Sequence, residues 1–109
     1  MKKKQKKLAS LPVSELRAKF VSGEISITSH LDDYRKRIEK DLTSNAFLEV
    51  TFDKASRRAS ELDGKVKSGE KLGKLAGTIV AIKDNISLIG IVNTCGSKIL
   101  ENYRPPYNA

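Results

Sequence analysis

Lys83 closes the apolar run Leu75-Ala-Gly-Thr-Ile-Val-Ala-Ile82 and is followed at once by Asp84 and Asn85. A lysine so placed can transfer protons. Its amine has an ordinary pKa of ~10.4, so it is a cation at neutral pH and acts as a base only where burial strips water from the charged form. Each unit of downward shift represents ~1.4 kcal/mol of differential stabilisation, and a base working near neutrality needs several units. Candidate nucleophiles lie close by in sequence. Ser87 and Ser97 are the serines that follow Lys83, and Cys95 could pair with the single histidine, His30, as a thiol dyad.

Residue type and position leave two readings of Lys83 open. It either marks the exit of a strand into water, or stands as a reactive side chain on a rigid strand end, where open α/β sheets bind ligands. Asp84 and Asn85 are expected to hydrogen-bond backbone and orient the lysine loop. Ser97 follows Gly96, which suits a turn or pocket-lining hydroxyl better than a nucleophile. Nothing in the sequence brings His30 near Cys95, so the cysteine reads as a small buried thiol.

The elements that position these residues follow from periodicity. Ser14 can cap a short helix through Val21, with Leu16, Phe20 and Val21 on its apolar face and Gly23 ending it. From about Ser26, residues Ile27, Leu31, Tyr34, Ile38 and Leu42 recur at helical spacing, with Asp32, Arg35, Arg37 and Glu39 between them. Ala46 to Thr51 reads as a short strand. Phe52, Ala55, Ala59, Leu62 and Val66 then define a third helix, and Ser68 to Gly73 a polar connector. The run from Leu75 to Ile82, rich in β-branched residues, reads as a strand buried on both faces. Helices followed by such a strand argue an α/β fold.

Composition excludes several classes. The 109 residues are 39% hydrophobic and 31% charged, the balance of one ordinary globular domain rather than a fibre or a disordered chain. The net charge of +8 points toward nucleic acid until it is located: Lys2, Lys3, Lys4, Lys6 and Lys7 supply five of those charges. That run lacks interleaved aromatics and reads first as a solvated tail, second as an electrostatic contact with RNA or another anion. The apolar stretch from Leu8 to Val13 is short and holds a proline, unlike a signal peptide, and no run approaches the ~20 apolar residues of a membrane span. One cysteine allows no intramolecular disulfide, which agrees with a reducing compartment such as the cytoplasm. The glycines from Gly64 onward form neither a P-loop nor a dinucleotide fingerprint, and no metal-ligand spacing occurs, so no cofactor is expected.

The residues Gly77, Val80-Ala-Ile-Lys-Asp-Asn-Ile86, Gly90, Thr94-Cys-Gly-Ser-Lys-Ile-Leu-Glu-Asn-Tyr103 and Pro105-Pro-Tyr107 resemble the opening of the amidase signature family. Within it they are most similar to the branch that serves as A subunits of aspartyl/glutamyl-tRNA amidotransferases. Upstream, Glu15-Leu16-Arg17, Ser22 to Ser26, Arg37-Ile38 and Asn45 to Leu48 extend the likeness to nearly the whole chain except the lysine tail. Thr78-Ile79 stands where the family often has a proline, and Asn93 where threonine is common.

The resemblance implies N-terminal helices plus the first strands of an α/β sandwich with a mixed central sheet, incomplete in this chain. The corresponding division is a basic tail over residues 1–9, a helical region with a short strand over 10–73, and a core strand with the lysine segment over 74–109. It also implies that Lys83 is the base of a serine, cis-serine, lysine triad, in which the nucleophilic serine attacks the amide of glutamine to give an acyl-enzyme and ammonia. In the family, both serines lie well downstream in a Gly-Ser-rich loop, and no such segment occurs among the 26 residues after Lys83. The expectation is therefore an N-terminal piece that is inactive alone. Its implied partners are the B and C subunits and misacylated tRNA, with ATP used within the assembled complex by one of those partners. The alternatives are a fragment of a plain amidase and a small non-catalytic module that binds a partner or RNA.

Overall fold

A computed structural model describes residues 8–109; the lysine run, and with it the reading of a solvated tail, lies outside the described residues. Three α-helices, α1 (Val13–Val21), α2 (Ile27–Lys40) and α3 (Phe52–Lys67), are accompanied by short 3-10 turns at Leu8–Ser10 and Lys98–Leu100. The chain divides into two compact units: Thr51–Ile79 with the described residues up to Leu42, and Thr43–Val50 with Val80–Ala109.

The first unit holds the apolar core. Leu16 and Phe20 of α1, Ile27 and Leu31 of α2, Ala59 and Leu62 of α3, and Leu72 beyond it are buried together. Those on the helices are positions that the three-and-four spacing marks, because residues that far apart share one helix face; Leu72 comes from the connector read as polar, and the marked Val21 and Leu42 are exposed instead. The helix ends are closed by specific partners. At the start of α2, the Ser26 hydroxyl accepts from the Ser29 N–H at 3.0 Å. The next free donors go to α3: the Asp63 carboxylate accepts from the Ile27 N–H at 2.8 Å, the Thr28 N–H at 3.0 Å and the Thr28 hydroxyl at 2.6 Å. One carboxylate thus satisfies amides that have no intrahelical acceptor, at the positive end of the helix dipole. Asp63→Ala is expected to lower stability by about 2 kcal/mol, because charge-assisted bonds to part-buried amides are lost together. A urea midpoint unchanged in that variant would contradict the account.

α1 begins after Pro12, with no side-chain cap, rather than at a cap on Ser14. Its end is as expected: Gly23 takes φ +74°, and its N–H donates to the Phe20 carbonyl at 3.1 Å. Beyond α3, the Glu70 N–H returns to the Lys65 carbonyl at 2.9 Å. The Arg17 guanidinium donates to the carbonyls of Leu72 at 2.8 Å and Gly73 at 3.0 Å, fixing that connector against α1.

Both expected strands are corrected. Among the described residues no strand forms, so the helical part of the α/β expectation is present and its sheet is not displayed. Leu75 lies in a turn in which the Thr78 N–H donates to the Leu75 carbonyl at 3.0 Å, and Gly77 takes φ +80°. Leu75, Val80 and Ile82 are 72%, 64% and 47% exposed, the reverse of two-sided burial. Residues 46–51 are likewise irregular and mostly exposed. An apolar, β-branched segment becomes a strand only when a neighbour accepts its backbone bonds, and no described segment does so here.

Candidate functional site

The second unit carries the lysine segment. Lys83 is exposed, and its carbonyl accepts from the Ile86 N–H at 3.0 Å to close a turn. What holds that turn in place is Asp84. Its carboxylate accepts from the Thr94 N–H at 2.8 Å and from the Thr94 hydroxyl, while its own carbonyl accepts from the Cys95 N–H at 3.1 Å. The lysine loop is therefore stapled to the Thr94–Ser97 turn, which is the orienting role expected of Asp84. The Thr94 hydroxyl and then the Thr94 amide hold the Asp84 carboxyl below its ordinary value against an opposing effect of burial, with a smaller contribution from the Gly96 amide. Asn85 is exposed.

The Thr94–Ser97 turn is tight. Cys95 and Gly96 take φ +49° and +74°, consecutive left-handed residues of which only glycine adopts that region freely. The Gly96 N–H donates to the Thr94 hydroxyl at 3.2 Å and the Ser97 N–H to the Thr94 carbonyl at 2.8 Å. This geometry corrects the reading of Cys95 as buried: the turn carries it outward, and its thiol is exposed. Asn93 is buried instead, at 5% exposure. Its Oδ1 accepts from the Cys95 thiol at 3.4 Å, and its N–H donates to the Tyr103 carbonyl at 3.0 Å. Ser97 is half-buried and leads into the Lys98–Leu100 turn.

Ser97 also lines an open cleft of about 530 Å³ with Thr94, Lys98, Glu101 and Arg104, as the pocket-lining reading expects. The cleft wall is built by Glu49, whose carboxylate accepts from the Val92 N–H at 2.8 Å and pairs with the Arg104 guanidinium at 3.1 Å. Arg104 reaches on to the Gly90 carbonyl at 2.7 Å. Neither Lys83 nor Ser87 lines this cleft. Glu49 has no sequence signal as an anchor, because a strand assignment explains residues 46–51 without giving its carboxylate a task.

His30 belongs to the first unit and Cys95 to the second; His30 is 2% exposed. Its ring packs on Phe20 and Tyr34, with centroids 5.4 and 5.2 Å away, and its Nδ1 has no hydrogen-bond partner among the described residues. Burial, opposed by Asp33 and assisted by Arg37, pushes its pKa down from 6.5. The folded state therefore favours neutral imidazole, while the unfolded chain takes up a proton below about pH 6.5. Stability is fully present above that pH and falls as pH drops toward the lowered folded value. Urea midpoints at pH 7.5 and 5.5 are expected to differ, and His30→Phe is expected to shrink the difference; an equal difference in both proteins would refute it.

Among the described residues no group of three or more His, Cys, Asp or Glu side chains could hold a metal ion. Nor is any described helix long and apolar enough to cross a membrane.

Comparison with known proteins gives the context for this geometry. The family model described as Amidase matches residues 30–109. The chain is 44% identical over 98 residues to the glutamyl-tRNA(Gln) amidotransferase A subunit of Gloeobacter violaceus, covering 89% of this chain and 20% of that one. It is 47% identical over 103 residues to the protein of the same name from Fusobacterium nucleatum, covering 94% and 21%. A third, from a Synechococcus species, is 43% identical over 100 residues, covering 91% and 20%. The chain thus spans about a fifth of the length of these relatives. No solved structure matches it.

Proposed function

This chain belongs to the Amidase family, and on that premise we propose that it forms the N-terminal part of a glutamyl-tRNA(Gln) amidotransferase A subunit. The assembled protein hydrolyses glutamine, and the ammonia converts misacylated Glu-tRNA(Gln), or Asp-tRNA(Asn), to the amidated product. The observation that carries this reading is identity of 43–47% to proteins so named, running through the lysine segment.

Lys83 is the base in this scheme. Once neutral, it draws a proton through a bridging serine from the nucleophilic serine, which attacks the glutamine amide; the acyl-enzyme forms and ammonia departs. Both serines come from sequence outside these 109 residues, and the Asp84 staple holds the lysine turn ready for them. The exposure of Lys83, Val80 and Ile82 fits that division of labour, because neighbouring strands of the complete domain would cover this segment, convert it into a strand of the sheet and desolvate the amine. The B and C subunits and misacylated tRNA are the partners, ATP is consumed within the complex at one of those partners, and the cytoplasm is the compartment.

The test grafts this chain onto the Fusobacterium nucleatum protein in place of its matching N-terminal segment, with that organism's partner subunits. The purified chimera is expected to release ammonia from glutamine and to amidate Glu-tRNA(Gln). A folded, assembled chimera that does neither would reject the assignment. The unjoined 109-residue chain is expected to release none.

A further inference from the structure

The first compact unit holds a second cleft, of about 610 Å³, that the proposed glutamine chemistry does not use. Its charged lining is entirely cationic: Arg58 and Lys65 from α3, and Lys71 and Lys74 from the connector beyond it, over a floor that includes Leu62 and Leu72. Between Lys54 and Lys74 the sequence places seven cations against three carboxylates. Two of those carboxylates already have partners, Asp63 within the fold and Glu61 at the surface. Asp63 is turned onto the N-terminus of α2, and Glu61 pairs with Arg58 at 2.9 Å. Lys65, Lys71 and Lys74 are exposed and form no ion pair among the described residues.

These amines are held by a built scaffold. The Arg17 guanidinium grips the carbonyls of Leu72 and Gly73, the two residues between Lys71 and Lys74. The Glu70 N–H on the Lys65 carbonyl ties the same connector to the end of α3. Cations near a helix C-terminus also complement its dipole, which accounts for Lys65 and leaves Lys71 and Lys74 unexplained. A concave row of unpaired ammonium groups without a lining carboxylate fits a repeating anion, and the repeat with one charge per residue is a phosphodiester backbone.

We propose that this cleft binds the phosphodiester backbone of RNA. The phosphate chemistry follows from the cleft alone, whereas the choice of RNA over DNA rests on the function proposed above. Binding of this kind positions a nucleic acid without reading its sequence.

The test uses the full chain with Lys2, Lys3, Lys4, Lys6 and Lys7 replaced by Gln, so that the tail cannot supply the signal. Fluorescence anisotropy is measured with a tRNA transcript, a DNA hairpin of equal length and an oligo-aspartate peptide, each at 50 and 200 mM KCl. The tRNA is expected to bind tightest, weakening about tenfold or more between the two salts, the release expected for two to three phosphates. Lys65→Gln, Lys71→Gln and Lys74→Gln together are expected to lower affinity about tenfold and flatten the salt dependence, with an unchanged far-ultraviolet spectrum and urea midpoint. In the tail-substituted chain without those changes, bound tRNA is expected to shield the three amines from acetylation, read by mass spectrometry. Unshielded amines, or a triple variant that folds and binds tRNA as before, would overturn the proposal. Tighter binding of the peptide or of DNA would overturn the RNA assignment, and neither result would touch the glutamine chemistry of the chimera.

Discussion

Replacing Lys83 by alanine in the amidotransferase chimera is expected to lower glutamine hydrolysis by about 10³-fold, the usual range for removing a general base. Lys83→Arg should be nearly as inactive. Arginine keeps the positive charge but does not surrender its proton in the working pH range, so a role in electrostatic binding would survive the exchange and a role as base would not. Residual activity of the arginine variant therefore separates the two readings, and activity of Lys83→Arg within tenfold of the parent would remove Lys83 from the reaction. KM for glutamine should change little in the alanine variant, because the base acts on the proton of the nucleophile and holds no part of the substrate. Asp84→Asn offers a contrast: it weakens the staple to Thr94 while leaving the amine in place, so a partial loss in kcat is expected.

Gly77→Ala is expected to destabilise the first unit by about 3 kcal/mol, roughly the sum of a left-handed penalty and an overpacking strain. A Cβ at this position would sit 2.5 Å from Cε2 and 2.7 Å from Cδ2 of Phe20, and 3.2 Å from Ile27 Cγ1. Phe20 is 1% exposed, so its ring cannot give way without disturbing the core around it. The matched control is Gly69→Ala. Gly69 has nearly the same φ, +75°, but nothing lies within 4 Å of its Cβ position, so only the backbone cost remains, about 1 kcal/mol. Urea midpoints of the two variants decide the matter, and equal losses would show that close approach to Phe20 costs nothing. Phe20→Leu combined with Gly77→Ala should lose less than the two single changes added together, since the smaller side chain leaves room for the methyl.

The helices are legible in the sequence because their signal is local. Leu16 and Phe20, Ile27 and Leu31, and Ala59 and Leu62 each repeat at helical spacing, and each pair is buried as that spacing requires. Ser26 as a cap and Gly23 as a terminator are legible for the same reason. The strands are not. The apolar character of Leu75 to Ile82 suggests two-sided burial, yet character alone does not supply the neighbouring strand or the covering layers that burial needs. Residue type places Cys95 in the interior, whereas its left-handed backbone in the Thr94–Ser97 turn carries the thiol to the surface.

The sequence by itself determined membership in the Amidase family and the extent of α2 and α3 to within about two residues, and it singled out Lys83 as the candidate base. Those follow from short-range patterns and from a contiguous motif. The tertiary structure decided which polar groups serve as anchors. Asp63 meets α2 across 36 residues of sequence, Arg17 meets Gly73 across 56, and Glu49 meets Arg104 across 55. It also decided which lysines stand unpaired in one cleft. Such pairings depend on where the chain returns in space, and the energy that fixes the return is spread over the whole buried core, so no local pattern in the sequence announces them.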